Sequence, residues 1–152
     1  MNKKLIMVLM AIAILLIMSV AVYAIPFFGP ETLTVGNCSF DMPDGYSLNG
    51  TNKYCATAIS NGTNTIYLLE QNSTDVNKYI KEYENSIKEK NESMKIQNLT
   101  IDGMKIYKTD NKDNPRTVHY WFVKGNHTYD IYKWDVNKKM DNTVMNLISS
   151  IK

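Results

Sequence analysis

Four times between residues 32 and 134 an alternating apolar run enters a short turn rich in Gly, Asn and Asp and leaves through a second alternating run. Alternation at period two buries one face of a strand, and turns of this composition return the chain antiparallel beside itself. A chain so written is committed to hairpins. "TLTVGNCSFDM" turns at Gly36-Asn37 in a type II′ pattern, so that Val35 opposes Cys38 and Leu33 opposes Phe40. Leu33, Val35, Cys38, Phe40 and Met42 then share a face, Cys38 points inward, and Pro43-Asp44-Gly45 ends the strand. In "YCATAIS-NGTN-TIYLLE" the pairs are Ile59 with Ile66, Thr57 with Leu68 and Cys55 with Glu70, which puts Cys55 on the apolar face as well. Asp102-Gly103 is a type I′ turn that aligns Leu99, Ile101, Met104 and Ile106, with Asn98 and Tyr107 on the other side. Gly125-Asn126 is the tip of the fourth hairpin.

Two segments change period. Val76, Ile80, Tyr83 and Ile87 recur at helical spacing, with Ser73 or Thr74 as the cap, Asp75 in the first turn and a Glu84–Lys88 pair along the surface. Met140, Val144, Leu147, Ile148 and Ile151 mark a C-terminal helix. Strands are expected near 32–35, 38–42, 54–60, 65–70, 94–101, 104–109, 117–123 and 127–134, and helices near 74–90 and 137–151. This is an α+β domain: a largely antiparallel sheet of successive hairpins packed with two helices.

Ahead of it stands a different kind of segment. "MNKK" precedes twenty uncharged residues from Leu5 to Ala24, enough to span a bilayer. The lysines hold the N-terminus on the cytoplasmic side, so the remainder is exported. Residues 1–24 act as a signal peptide cleaved after "VYA" or as a retained membrane anchor, 25–31 as a linker, and 32–152 as the extracytoplasmic domain. All 15 Asp and Glu lie beyond the leader, as do 15 of the 17 Lys and Arg, so the exported part is neutral. It offers no basic surface for nucleic acid.

A hairpin running into "FDMPDGY" (40–46), a long charged helix, "IDGMKIYK" (101–108), a last hairpin and a short C-terminal helix resemble the small exported proteins of methanogenic archaea. These in turn resemble the PsbP/Mog1-like α/β/α sandwich. The resemblance covers most of residues 32–152 and implies a fold. It carries over no activity, ligand or catalytic residue.

Three readings are open for Cys38 and Cys55: a disulfide, a buried unbonded pair, or metal ligands. Export and two inward positions favour the disulfide. No CxxC is present and the two histidines, His119 and His127, lie in a distant hairpin, so neither a metal site nor a cofactor is expected. Asn-X-Ser/Thr triplets fall at Asn37, Asn49, Asn61, Asn72, Asn91, Asn98 and Asn126, seven where chance placement in this composition gives about two or three. The excess points to N-glycosylation; an Asn-rich, turn-favouring composition is the plainer account.

Signals for catalysis are thin. The chain has no GxSxG, no HExxH and no cysteine close to a histidine in sequence. "DNKDN" (110–114) offers oxygen ligands but lacks the acidic density of a calcium loop and reads as a solvated turn. The last hairpin stands out, because pairing across its tip puts Val118, Tyr120, Phe122, Tyr129 and Ile131 on one face and His119, Trp121, Asp130, Tyr132 and Trp134 on the other. Two bulky faces suit a central hairpin covered on both sides, with the C-terminal helix over the second set. They also suit an exposed aromatic platform with His119 or Asp130 at its edge.

The expectation is a non-enzymatic domain at the outer face of a cell membrane, or secreted, acting by binding or as a structural component. Its partners would be an envelope polymer or a surface protein, and the membrane itself through residues 5–24 if the leader is retained. The alternative is a hydrolase acting on an envelope polymer, which a convergent histidine and carboxylate in a deep cleft would favour.

Overall fold

The computed structural model describes residues 31–111, 116–134 and 138–152. Strands β1 (Thr32–Val35) and β2 (Cys38–Asp41) form a hairpin of their own. A seven-stranded antiparallel sheet contains β3 (Ser47–Thr51), β4 (Thr57–Ser60), β5 (Thr65–Gln71), β6 (Met94–Ile101), β7 (Met104–Asn111), β8 (Thr117–Lys124) and β9 (His127–Trp134), in the order β3-β4-β5-β9-β8-β7-β6. Helix α1 (Val76–Lys88) joins β5 to β6, and α2 (Lys138–Ser149) follows β9. All four predicted hairpins are present with the predicted registers at Val35↔Cys38, Ile59↔Ile66 and Leu99↔Ile106.

The layers follow from the side chains. One face of the sheet, with Ile59, Ile66, Leu68, Ile106, Val118, Tyr120, Phe122, Tyr129 and Ile131, packs on α2 and on the β1–β2 hairpin in a continuous core. The other face carries Trp121, against which Val76, Ile80, Tyr79 and Tyr83 of α1 pack. Asp75 itself caps α1, its carboxylate accepting from Lys78 N, in place of Ser73 or Thr74; Glu84 and Lys88 pair at 2.8 Å as expected. The helix ends where Glu92 N donates to Ile87 O and Asn91 N to Lys88 O, with Asn91 at φ 58: a Schellman closure with asparagine in the left-handed position.

Two expectations fail in the segment before β4. The chain makes an extra edge strand, β3, whose pairing with β4 is interrupted between Leu48 and Thr51. It then folds on Asn52, whose side-chain oxygen accepts from Tyr54 N and Ala56 N, so β4 starts at Thr57 rather than at residue 54. Cys55 therefore does not face inward beside Ile59. It is exposed at φ 64 while Cys38 is buried in β2, and both are free thiols, so the predicted disulfide is not formed.

The leader, residues 25–30 of the linker, and residues 112–114 of the "DNKDN" turn lie outside the described residues. Among the described residues no helix is long and apolar enough to cross a membrane.

Two polar ties fasten the upper layers to the sheet. Glu70 of β5 accepts from Asn37 N (2.7 Å) and Asn37 Nδ2 (3.1 Å) at the tip of the β1–β2 hairpin, and from Tyr129 Oη of β9. Burial raises the Glu70 pKa, but these donors and the nearby His127 bring it below the usual value. On α2, Asp141 accepts from Lys108 Nζ (2.9 Å), Lys133 Nζ (2.5 Å) and Tyr120 Oη (2.9 Å). Burial opposes the charge on both Asp141 and Lys133, yet these donors keep the carboxyl pKa lowered.

Two substitutions test the ties. Gly36 has φ +59, and a Cβ there would sit 1.9 Å from Glu70 Oε2. Gly36→Ala should therefore expel the carboxylate and cost about 2 kcal/mol or more in urea unfolding. Lys133 is 0% exposed. Asp141→Asn should strand its ammonium and cost about 3 kcal/mol. Because the Asp141 pKa is lowered on folding, its contribution is present above the unfolded value near 3.8 and is lost as pH falls through the folded value. The variant should thus show a flatter acid limb below about pH 4 than the wild type.

Candidate functional site

Between α1 and the sheet lies a cleft of about 750 Å³, and all five residues singled out from the last hairpin, His119, Trp121, Asp130, Tyr132 and Trp134, line it. The pairings His119↔Tyr132 and Trp121↔Asp130 across β8 and β9 put them on one face, as the alternation predicted. They do not form an open platform. Trp121 is 5% exposed and His119, Asp130 and Tyr132 are buried, leaving Trp134, at 45%, as the half-exposed member. Nor do they lie under the C-terminal helix: α2 covers the opposite face, and α1 covers this one.

The rings stand upright on adjacent strands and stack on one another. His119 lies between Trp121 (centroids 5.2 Å, planes 8° apart) and Tyr132 (4.9 Å, 21°), and Tyr132 continues onto Tyr67 of β5 (4.9 Å, 10°). Tyr83 of α1 closes over His119 at 4.2 Å. Trp134 meets Tyr67 edge to face. Stacked faces are spent on each other, so the cleft receives ring edges and phenol hydroxyls rather than broad aromatic faces.

The polar groups are as closely held. His119 Nδ1 hydrogen-bonds both carboxylate oxygens of Asp130, at 3.0 and 2.9 Å, with both side chains buried. Burial pushes the Asp130 pKa up, and His119 opposes the shift. Trp121 Nε1 donates to Thr109 Oγ1, and Asn52 Nδ2 donates to Tyr132 Oη at 2.7 Å. Burial, reinforced by Asp130, lifts Tyr83 to about 12; burial likewise lifts Tyr132 to about 12 against the Asn52 hydrogen bond. Both phenols are neutral donors at physiological pH.

Sequence reasoning missed the other wall. Tyr83 belongs to the apolar stripe read from the sequence but was not assigned to the site, and Tyr79, one turn before it on α1, would have been found by extending that stripe to its aromatic flank. Asn52 and Tyr54 come from the turn before β4, where no periodicity marks them. Among the described residues no group of three or more His, Cys, Asp or Glu is gathered to hold a metal ion.

All seven sequon asparagines are exposed. Several have other work: Asn37 bonds Glu70, Asn61 accepts from Thr63 N and Asn64 N in its own turn, and Asn91 closes α1.

No protein family matches the chain by sequence, and no curated protein does. Solved structures do match by shape. The cyanobacterial PsbP protein (CyanoP) of Synechocystis sp. PCC 6803 superposes with a TM-score of 0.53 at 6% identity, covering 84% of this chain and 95% of that one. The fold is PsbP-like. A protein from Bacteroides thetaiotaomicron superposes with a TM-score of 0.52 at 9% identity over 76% of this chain, which spans 44% of that longer protein. At these identities the likeness concerns the PsbP-like architecture alone, and neither protein is archaeal.

In this PsbP-like domain the aromatic row is part of the packing between α1 and the sheet. Trp121→Ala should accordingly cost about 3 to 5 kcal/mol in chemical denaturation. A loss under about 1 kcal/mol would place the ring outside the core.

Proposed function

We propose that this chain is an exported, N-glycosylated binding domain, tethered outside a membrane by its leader or released from it, and that its cleft takes a saccharide unit of an envelope polymer. One observation carries the reading. Around Tyr132 the cleft opens between Trp134, 45% exposed, and Tyr54, 66% exposed, with the amide of Asn52 bonded to the Tyr132 hydroxyl beside them. Flat apolar rings next to amide donors and acceptors suit a sugar ring, which has an apolar face and a rim of hydroxyls.

A hydrolase is the second reading, and the His119–Asp130 pair inside the cleft is what favours it. A carboxylate holding an imidazole is how many enzymes orient a general base. Here both faces of the imidazole are stacked and Tyr83 lies over it, which supports a packing and charge-pairing role.

Titration calorimetry against solubilised envelope polysaccharides tests both. Trp134→Ala and Tyr54→Ala should leave the unfolding free energy within about 0.5 kcal/mol of wild type and weaken binding at least tenfold. Release of new reducing ends by the wild type, abolished by His119→Gln in a folded protein, would instead establish the hydrolase.

A further inference from the structure

We propose that Asn98 carries an N-linked glycan that prevents the free edge of β6 from pairing with a strand of another chain. This rests on the glycosylated-domain reading above and assigns one sequon a physical task. β6 is an outer strand of the seven-stranded sheet, paired on one side to β7 in unbroken register from Met94↔Asn111 to Ile101↔Met104. No described strand pairs with its other side, so alternate backbone N–H and C=O groups face outward as a template for strand addition.

The opposite outer strand is protected by its own irregularity. β3 has five residues, and its register breaks between Leu48 and Thr51. β6 has eight residues and no break, a single charge at Lys95, and Ile96 standing 49% exposed. It is the edge by which this sheet would grow.

Asparagine is disfavoured within strands. Turn geometry or a hydrogen bond accounts for Asn37, Asn61 and Asn91, but Asn98 lies mid-strand, exposed, and its side chain makes no hydrogen bond with the described residues. Nothing in the fold asks for an amide there. In Asn98-Leu99-Thr100 the strand alternation sets Leu99 against the core and turns Asn98 and Thr100 together to the opposite, exposed face. The acceptor amide and the hydroxyl that a transferase reads are thus presented side by side.

The modification needs a sugar activated on a lipid phosphate. Asn98 Nδ2 bonds to its anomeric carbon, the carbon–oxygen bond to the phosphate breaks with the electron pair leaving on the phosphate, and the amide nitrogen gives up one proton. A strand docking on β6 would place a side chain about 5 Å from the Asn98 Cβ. The first sugar occupies that space.

The full chain, produced in a host with N-glycosylation machinery, provides the test by peptide mass spectrometry and by light scattering across a concentration series. The Asn98 peptide should carry glycan mass and the wild type should remain monomeric. Asn98→Gln should self-associate at a concentration at least tenfold lower with its thermal midpoint unchanged, and Asn98→Gln with Ile96→Lys should return to monomer, because a charge on the same edge blocks pairing by another means. A bare Asn98 with glycans on other sequons overturns the proposal alone; bare peptides at all seven overturn the glycosylation reading with it. An Asn98→Gln protein that stays monomeric, or whose association Ile96→Lys does not reverse, also overturns it.

Discussion

Large side chains on both faces of one hairpin set the architecture. β8 and β9 carry Tyr120, Phe122, Tyr129 and Ile131 on one side and His119, Trp121, Asp130 and Tyr132 on the other, all buried. A hairpin of this kind cannot lie at a surface, so it occupies the middle of the sheet and requires a layer on each face. Connectivity supplies the layers. α1 leaves β5, beside β9, and delivers the chain to β6 at the far edge, four strand spacings or about 19 Å away. A thirteen-residue helix is about 20 Å long, enough to make that passage while its apolar stripe covers the aromatic face. α2 then returns over the other face, where its Met140, Val144, Leu147 and Ile148 complete the larger core with the β1–β2 hairpin.

Apolar contact alone would let the β1–β2 hairpin and α2 slide over the sheet, and a carboxylate pins each of them. Glu70 binds the tip of the small hairpin by a backbone N–H and a side-chain amide, which demands a glycine at position 36 because no Cβ fits beside the carboxylate. Asp141 gathers three donors from β7, β8 and β9 at once. Lys133 is the less expected partner, for a fully buried ammonium is tolerated only where a carboxylate meets it. Its face was predictable from alternation with Ile131, but its partner, eight residues on, belongs to a helix whose placement no local pattern reveals.

Local chemistry made most of the secondary structure legible. The turns at Gly36-Asn37, Asp102-Gly103 and Gly125-Asn126 determine their hairpins and so the registers, and the helical stripes determine which residues of α1 and α2 are buried. Errors arose where a side chain competes with the backbone. Asn52 captures two backbone amides and bends the chain out of the strand that alternation predicted, and this one event delays β4, exposes Cys55 and separates it from Cys38. The five cleft residues were placed on one face correctly, while their cover was not, because which helix lies over which face depends on the long-range order β5-β9-β8-β7-β6.

The same stacking that buries the aromatic row divides the cleft into two parts. Deep in it, His119 is held between Trp121 and Tyr132, its Nδ1 is committed to Asp130, and Tyr83 is fixed above. A general base must move a proton to or from a group that can reach it, and a ring so enclosed keeps its geometry at the expense of access. The value of the pair is then electrostatic: Asp130, whose burial disfavours its charge, is offset by the imidazole, and the row of rings is held in register by one buried hydrogen-bonded contact. Towards the mouth the packing runs out. Trp134 ends β9 beside Tyr67 and Tyr132 but with nearly half its surface open, and Asn52 brings Tyr54 and a bonded phenol to the same place. A rigid interior row thus supports a half-open aromatic lip, and it is at the lip, where rotamers are already fixed from beneath, that a ligand could stack without ordering new groups.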